Sequence, residues 1–306
     1  MTTESSYHSA NPEIQTLTEQ SKTYAKQIMT IVDEVQKVIV GQEEVIKKLV
    51  IAMMADGHVL LEGVPGLAKT KMVDTLSKTL GANFCRIQFT PDLLPADITG
   101  TKIYDNKNEK FVTEKGPVFS NLILADEINR APPKVQSALL EAMQERQVSI
   151  HGDTFEIEKP FLVLATQNPI ESEGTYRLPE AQIDRFALKL IINYPSKDHE
   201  KLIIQRNTQE NKPTAKNIVS KDVILEIQKF VQKIYADEKI EEYVSAIVDA
   251  TRNPKNYDLE LEDMIEFGAS PRASIWLILA AKAHALLAGR GCLLYTSDAA
   301  DEQFGV

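Results

Sequence analysis

Lys69 and Thr70 end the stretch His-Val-Leu-Leu-Glu-Gly-Val-Pro-Gly-Leu-Ala-Lys-Thr, residues 58–70, in which an apolar run enters a glycine-proline turn and leaves on a cation and a hydroxyl. A triphosphate chain needs converging backbone N–H donors, a bend that lets them converge, an ammonium on the outer phosphates and a hydroxyl for a divalent ion. Gly63, Val64, Pro65, Gly66, Leu67 and Ala68 supply the bend, Lys69 the ammonium and Thr70 the hydroxyl, with Lys71 following. The strict pattern places Gly before the Lys, where this chain has Ala68.

A second segment completes the chemistry. Asn-Leu-Ile-Leu-Ala-Asp-Glu, residues 121–127, is an apolar run ending on two carboxylates, the pattern of a buried parallel strand that delivers acids at its C-terminal edge. In open α/β sheets ligands bind at that edge. Asp126 there can hold Mg²⁺ through water, and Glu127 can orient and polarise an attacking water. Asn168, in Ala-Thr-Gln-Asn-Pro, ends a further strand at the same edge, where an amide reaches a terminal phosphate or the water. Read alone, Asn-Pro starts a turn. Arg185 and Arg272, each read alone, are surface cations.

The elements that must position these groups follow from periodicity. Apolar residues from Ile14 to Leu49 recur at helical spacing with a break at Val40-Gly41-Gln42-Glu43. Five strands are predicted: 59–62, 84–89, 121–125, 161–166 and 188–194. The spacers suit crossover helices, hence a parallel sheet covered on both faces. Thr90–Gly116 is too long for a plain loop; its Tyr104–Asn108 centre suggests a turn within a small hairpin or a helix interrupted by one. After Pro132-Pro133, Val135, Ala138, Leu139, Ala142 and Met143 share one helix face and read as core. Val148–Ile150 and Phe155–Ile157 flank His151-Gly-Asp-Thr154 as a projecting hairpin, and His151 has no partner at metal-ligand spacing. Beyond Pro195 the chain turns charged and helical, with helices near 198–209, 221–236, 239–252 and 272–289.

The 306 residues, 43% of them hydrophobic, suit one large or two modest domains. A net charge of −10 argues against a surface that tracks nucleic acid. Cys85 and Cys292 are too few for a disulfide framework or a zinc cluster, which fits a reducing compartment. The polar start has neither a basic nor an apolar signal region, and the apolar runs fall short of the ~20 residues that span a bilayer, so a cytoplasmic location is expected and no membrane partner.

In order along the chain, Glu62–Thr70, Phe89–Gly100, Gly116-Pro-Val-Phe119, Asp126-Glu-Ile-Asn-Arg-Ala131, Ala165-Thr-Gln-Asn-Pro169, Asp184-Arg-Phe186 and Ser270-Pro-Arg272 resemble the AAA+ ATPases, specifically the MoxR family, over about residues 28–290. Ala68 is typical of that family. The resemblance implies an α/β fold with a five-stranded parallel sheet ordered 5-1-4-3-2, a smaller all-helical C-terminal lid, and ATP with Mg²⁺ as cofactors. Carried onto this chain, it makes Lys69 and Thr70 Walker A, Asp126 and Glu127 Walker B, Asn168 sensor 1, Arg272 sensor 2, and Arg185 a finger offered to a neighbour's ATP. Val40 and Gly41 fall on the adenine side. Arg177 stands where relatives usually have Pro and is a second arginine for the finger role.

The implied assembly is a ring, usually a hexamer, and the implied function is a chaperone acting on a protein client beside a protein with a von Willebrand factor A domain. The insert at 90–116 and the hairpin at 148–157 are the parts that face a pore and a client. A DNA-dependent or chelatase-like motor shares such a site, and a nucleotide-gated scaffold with little turnover is the reading from another class; Glu127 argues against the scaffold. The expected division is an extension and first helix at 1–27, a nucleotide-binding core at 28–195, a helical lid at 196–291 and a tail at 292–306. Residues 292–302 look like translated sequencing adapter, so the tail is expected to be non-native and the lid truncated.

Overall fold

The computed structural model describes residues 12–64, 66–167, 175–261 and 263–293. Two helices, α1 (Pro12–Gln36) and α2 (Glu43–Met54), precede the first strand and are separated at the break expected over Val40-Gly41-Gln42-Glu43, with Glu43 already in α2. The sheet is built from β1 (Val59–Glu62), β2 (Phe84–Gln88), β5 (Leu122–Asp126), β8 (Leu162–Gln167) and β9 (Leu188–Ile191). Their order across the sheet is β2-β5-β8-β1-β9, and every neighbouring pair is parallel. Counting only these five along the chain and starting from the β9 edge, the order is 5-1-4-3-2, as the resemblance implies.

Parallel strands need crossover elements, and these cover both faces. On one face Leu60, Ile123, Ala125, Val163 and Ala165 pack with Val135, Leu139, Leu140, Ala142 and Met143 of α5 (Pro133–Glu145). The alternate residues Val59, Leu61, Leu122, Leu124, Leu162 and Leu164 are buried as well. The apolar face of α5 is wider than its spacing indicated. Gln136 and Leu140 are buried with it, while Ala138 is only half-buried. Helix α3 (Lys69–Thr79) contributes Met72, Val73 and Leu76 to the interior.

Three strands differ from expectation by one residue, β2 ending at Gln88 and β5 and β8 each lying one position later, and β9 stops at Ile191 rather than Tyr194, because beyond Glu62 its neighbour β1 offers no further backbone partner. In the 90–116 insert the Tyr104–Asn108 turn lies within a hairpin, the first of the two expected arrangements, and interrupts no helix. A short helix α4 (Pro95–Thr99) is followed by the antiparallel hairpin of β3 (Gly100–Asp105) and β4 (Lys110–Lys115). The second hairpin pairs β6 (Gln147–Ile150) with β7 (Asp153–Glu156). The two hairpins touch through Lys102 and Asp153 at 2.8 Å and through Thr101 and His151 at 3.4 Å. A short helix α6 (Glu180–Ile183) precedes β9.

The remaining helices are α7 (Lys197–Thr208), α8 (Lys221–Lys233), α9 (Glu238–Arg252) and α10 (Pro271–Leu287). Ser196, Asp237 and Ser270 cap three of them, each accepting a backbone N–H from the first turn. Contacts divide the chain differently from the boundaries expected at 27/28 and 195/196. One unit comprises residues 31–47 and 58–222, and the other residues 1–30, 48–57 and 223–306. The segment 196–222 thus belongs with the sheet. Arg206 donates to the carbonyls of Gln36 and Lys37, and Glu34 accepts the backbone N–H of Lys216 at 2.9 Å, so long-range hydrogen bonds override the change in composition.

In the second unit α9 packs on α10, and Gln228 of α8 donates to the Met53 carbonyl. The docked chain continues past residue 291. Cys292 bridges Tyr235, Leu293 donates its N–H to the Tyr235 carbonyl at 2.9 Å, and both side chains are buried. The expected start of the tail at 292 therefore falls within packed structure; residues 294–306 lie outside the described residues.

Candidate nucleotide site

The turn after β1 brings the phosphate-binding candidates to the C-terminal edge of the sheet. Gly63 is needed for a close approach: a Cβ there would sit 2.8 Å from the Ile192 carbonyl oxygen. Gly66 has φ +87°, open to glycine without strain, and Ala68 holds φ 56° immediately before the helix. Left-handed backbone at 68 explains why the strict pattern has Gly there, and an Ala in it carries a strain of about 1 kcal/mol. Helix α3 begins at Lys69, and its first helical bond runs from Met72 N–H to the Ala68 carbonyl. The N–H groups of the first turn have no acceptor within the helix and face whatever lies before it. Pro65 lies outside the described residues.

Lys69 Nζ donates to the Gly63 carbonyl at 2.5 Å, curling back over the loop. Burial pushes its pKa down, while the charges of Asp126 and Glu127 act the other way. The ammonium is thus half-desolvated and lies in the field of the acids. Thr70 and Lys71 follow on the same turn, and Lys71 Nζ reaches Asn207 of α7 at 3.4 Å.

The acids themselves are densely bonded. Asp126 ends β5 and pairs with Gln88 in register. Its Oδ1 accepts the Thr166 hydroxyl at 2.7 Å, and its Oδ2 accepts Arg86 Nε at 3.0 Å and Nη2 at 2.6 Å. Glu127 turns the chain with φ 56° into a 3-10 turn at Ile128–Arg130. Its N–H donates to the Thr166 hydroxyl at 2.8 Å, and its Oε2 accepts Gln88 Nε2 at 3.0 Å and Arg130 Nη1 at 2.9 Å. One buried hydroxyl therefore fixes both acidic residues.

Arg86, Gln88, Thr166 and Arg130 were not singled out from the sequence. The signal was available for two of them: Arg86 and Gln88 flank the inward Ile87, so period-two alternation puts both on one side of β2.

On the adenine side, Gln42 Nε2 donates to the Asn193 carbonyl at 3.0 Å, and Gly41 at φ +74° lies so close to His199 of α7 that a Cβ would meet Nδ1 at 2.8 Å. Val40 and Gly41 thus border the same loop, α7 and β9 region as Lys71. Arg185 is half-buried after α6 in a cleft shared with Ser137, Glu141, Glu145 and Gln182, and its Nε has no hydrogen-bond partner among the described residues. Arg177 is exposed. Arg272 opens α10 in the other unit, its N–H on the Ser270 hydroxyl at 3.0 Å. Asn168 lies outside the described residues, one position after the end of β8.

Gly63 and Gly66 with Lys69 at a helix start, and Thr70 with an acidic strand end, form a donor set suited to phosphate oxygens and a hard oxygen-liganded cation. Among the described residues no cluster of three or more His, Cys, Asp or Glu forms a separate metal site. No helix among them is long and apolar enough to cross a membrane.

Residues 58–188 match the family model "ATPase family associated with various cellular activities (AAA)", and residues 259–294 match the AAA lid domain. The chain is 48% identical over 287 residues to Chaperone MoxR1 of Mycobacterium tuberculosis, covering 92% of this chain and 76% of that protein. The chain belongs to the MoxR family of AAA+ ATPases. It is also 32% identical to Protein MoxR of Paracoccus denitrificans, covering 84% of this chain and 80% of that one. A solved structure from Cytophaga hutchinsonii, described as a proposed ATPase, superposes with a TM-score of 0.84 at 50% identity, covering 90% of this chain and 85% of the other. The lid match extends to residue 294, in keeping with the docking of Cys292 and Leu293.

Proposed function

We propose that this MoxR-family chain hydrolyses ATP with Mg²⁺ and, in a ring of copies, uses the cycle to remodel a protein client in the cytoplasm. The observation that carries the reading is the placement of Lys69 within the field of Asp126 and Glu127 at one sheet edge. Lys69 and the N–H groups opening α3 would hold the phosphates, and Thr70 and Asp126 would hold the cation. Bound there, Mg²⁺ neutralises charge on the phosphate oxygens. Glu127 takes up the proton of the attacking water, with Gln88 and Arg130 aiming its carboxylate. Asn168 acts as sensor 1, Arg272 as sensor 2, and Val40 and Gly41 border the base.

Two variants separate binding from chemistry. Lys69→Ala is expected to lose nucleotide binding. Glu127→Gln is expected to keep binding while turnover falls at least about a hundredfold. A Glu127→Gln protein that hydrolyses ATP at the parent rate would remove that residue from the catalytic role.

The ring reading comes from the family and is supported by Arg185, whose guanidinium has unused donor capacity and would serve the neighbouring copy's nucleotide. Arg185→Ala is expected to lower turnover about a thousandfold. Mixing it with Lys69→Ala subunits should restore part of the activity, since some interfaces then combine intact halves. Full activity of Arg185→Ala, with no rescue needed, would transfer the role to Arg177. A partner with a von Willebrand factor A domain is expected from the family. Pull-down with such a protein tests it directly, and failure to bind in any nucleotide state would exclude that partner.

A further inference from the structure

Arg86 has no part in the chemistry just described, yet it makes the shortest ion pair at the site. Nε and Nη2 both reach Asp126 Oδ2, at 3.0 and 2.6 Å, and Nη2 also reaches Gln88 Oε1 at 2.7 Å. The fork is therefore held on two sides. With Oδ1 occupied by the Thr166 hydroxyl, both oxygens of the Asp126 carboxylate are engaged, although the side chain keeps 17% of its exposure. A metal-bound water donates to a carboxylate through the same lone pairs that a guanidinium uses. A divalent ion is also repelled by a fixed cation on the oxygen it must approach.

We propose that Arg86 is a positioning residue that occupies Asp126 in place of the divalent ion, so that Mg²⁺ engages this site only by displacing the guanidinium. The inference rests on the nucleotide-site reading above. In the absence of the cation, Arg86 offsets the repulsion between two neighbouring carboxylates and keeps Asp126 in its rotamer. Its own exposure of 46% leaves it free to swing into solvent when the cation arrives with nucleotide. The consequence is a raised Mg²⁺ requirement: the metal must outcompete an internal cation, which makes productive loading depend on a nucleotide that brings its own share of the ligands.

The test measures Mg²⁺ binding and not turnover. MgCl₂ is titrated by calorimetry into the full chain saturated with the β,γ-imido analogue of ATP. Arg86→Gln is expected to bind Mg²⁺ about three- to tenfold more tightly than the parent. Arg86→Lys, which keeps the charge without the fork, should fall between them. Without cation, Arg86→Gln should melt below the parent, and its melting temperature should gain more on adding Mg²⁺ with the analogue. In an Asp126→Asn background the Arg86→Gln effect should vanish, because the competition is for that carboxylate. Equal or weaker Mg²⁺ binding by Arg86→Gln overturns the inference. So does a tightening that survives in the Asp126→Asn background. If the parent chain binds no nucleotide, or binds it as well after Lys69→Ala, the nucleotide-site reading itself fails; Mg²⁺-dependent binding by the parent with no response at Arg86 overturns only the competition.

Discussion

The sheet edge and the paired hairpins lie in one unit of the molecule, but they use their side chains in opposite ways. At the edge, Asp126 and Glu127 carry hydrogen bonds from Arg86, Gln88, Arg130 and Thr166, and polar groups are fixed by several partners each. On the first hairpin, Tyr104 and Phe111 pair across the strands with ring centroids 5.3 Å apart while remaining exposed, and Phe111 keeps 70% of its accessible surface. Ile103, Val112 and the nearby Leu94 are exposed too. A fixed polar network suits a reaction whose geometry must repeat. Exposed apolar residues on a two-stranded ribbon suit contact with a varied partner, as the proposed client-facing role requires.

The largest effect that would sharpen this contrast is expected at Thr166, which is buried and bonded to both acidic residues. Thr166→Val keeps the shape but leaves the Glu127 N–H without its acceptor and removes one of the two holds on Asp126, the Arg86 fork remaining. Turnover should fall about ten- to a hundredfold, and Thr166→Ser should recover to within about threefold. Steady-state ATPase assays decide it. A valine variant at the parent rate would mean that the edge tolerates looseness and that the contrast with the hairpins is overstated.

These two regions also differ in how far they could be read from sequence. The core strands are short apolar runs, and β1 and β5 end on acidic residues, so their identity was legible, while the sheet order came only with the family resemblance. The second hairpin was visible as alternating runs around turn residues, while the first was one of two readings of the Tyr104–Asn108 turn. Arg86, Gln88 and Thr166 were not legible, since a polar residue at a strand end looks the same whether it faces water or a carboxylate 40 residues away. The compact units depart from the change in composition for a related reason. Composition changes at Pro195, but Arg206 and Lys216 bond back to residues 34–37, and such non-local contacts leave no trace in local periodicity.

A medium effect is expected beneath the sheet, at His58. Its ring is fully enclosed, accepting the Val163 N–H at Nδ1 (3.0 Å), donating from Nε2 to the Met143 carbonyl (3.1 Å) and standing edge-on to Phe161. Burial first, and then the charge of Arg146, push its pKa well below the ordinary histidine value, with the Met143 carbonyl opposing them. The native state therefore holds His58 neutral where the unfolded chain would protonate it. Stability from this group is complete above the unfolded value near 6.5 and is lost as pH falls below it, by up to about 1.4 kcal/mol per pH unit. Urea unfolding at pH 7.5 and 5.5 should show that loss in the parent. His58→Gln should start less stable but lose less over the same interval. An equal pH slope in both proteins would assign the acid sensitivity to other groups.

The smallest effect is expected on the hairpin, and it is the one able to break the comparison outright. Phe111→Ser removes an exposed ring and its edge contact with Tyr104, leaving the backbone pairing of Ile103 with Val112 and Tyr104 with residue 111 in place. An exposed cross-strand pair is worth under about 1 kcal/mol, so the melting temperature should move by only a few degrees. Basal ATP turnover should stay within about twofold, because the partners of Lys69, Asp126 and Glu127 lie in the loop after β1, in β2, in β8 and in the turn after β5, none of them on the hairpin. What should fall is any stimulation of turnover by a protein that binds the apolar surface. If Phe111→Ser instead lowered basal turnover as far as Thr166→Val, the hairpin would have to be counted as part of the catalytic apparatus. The separation between a rigid polar edge and an adaptable apolar ribbon would then be wrong.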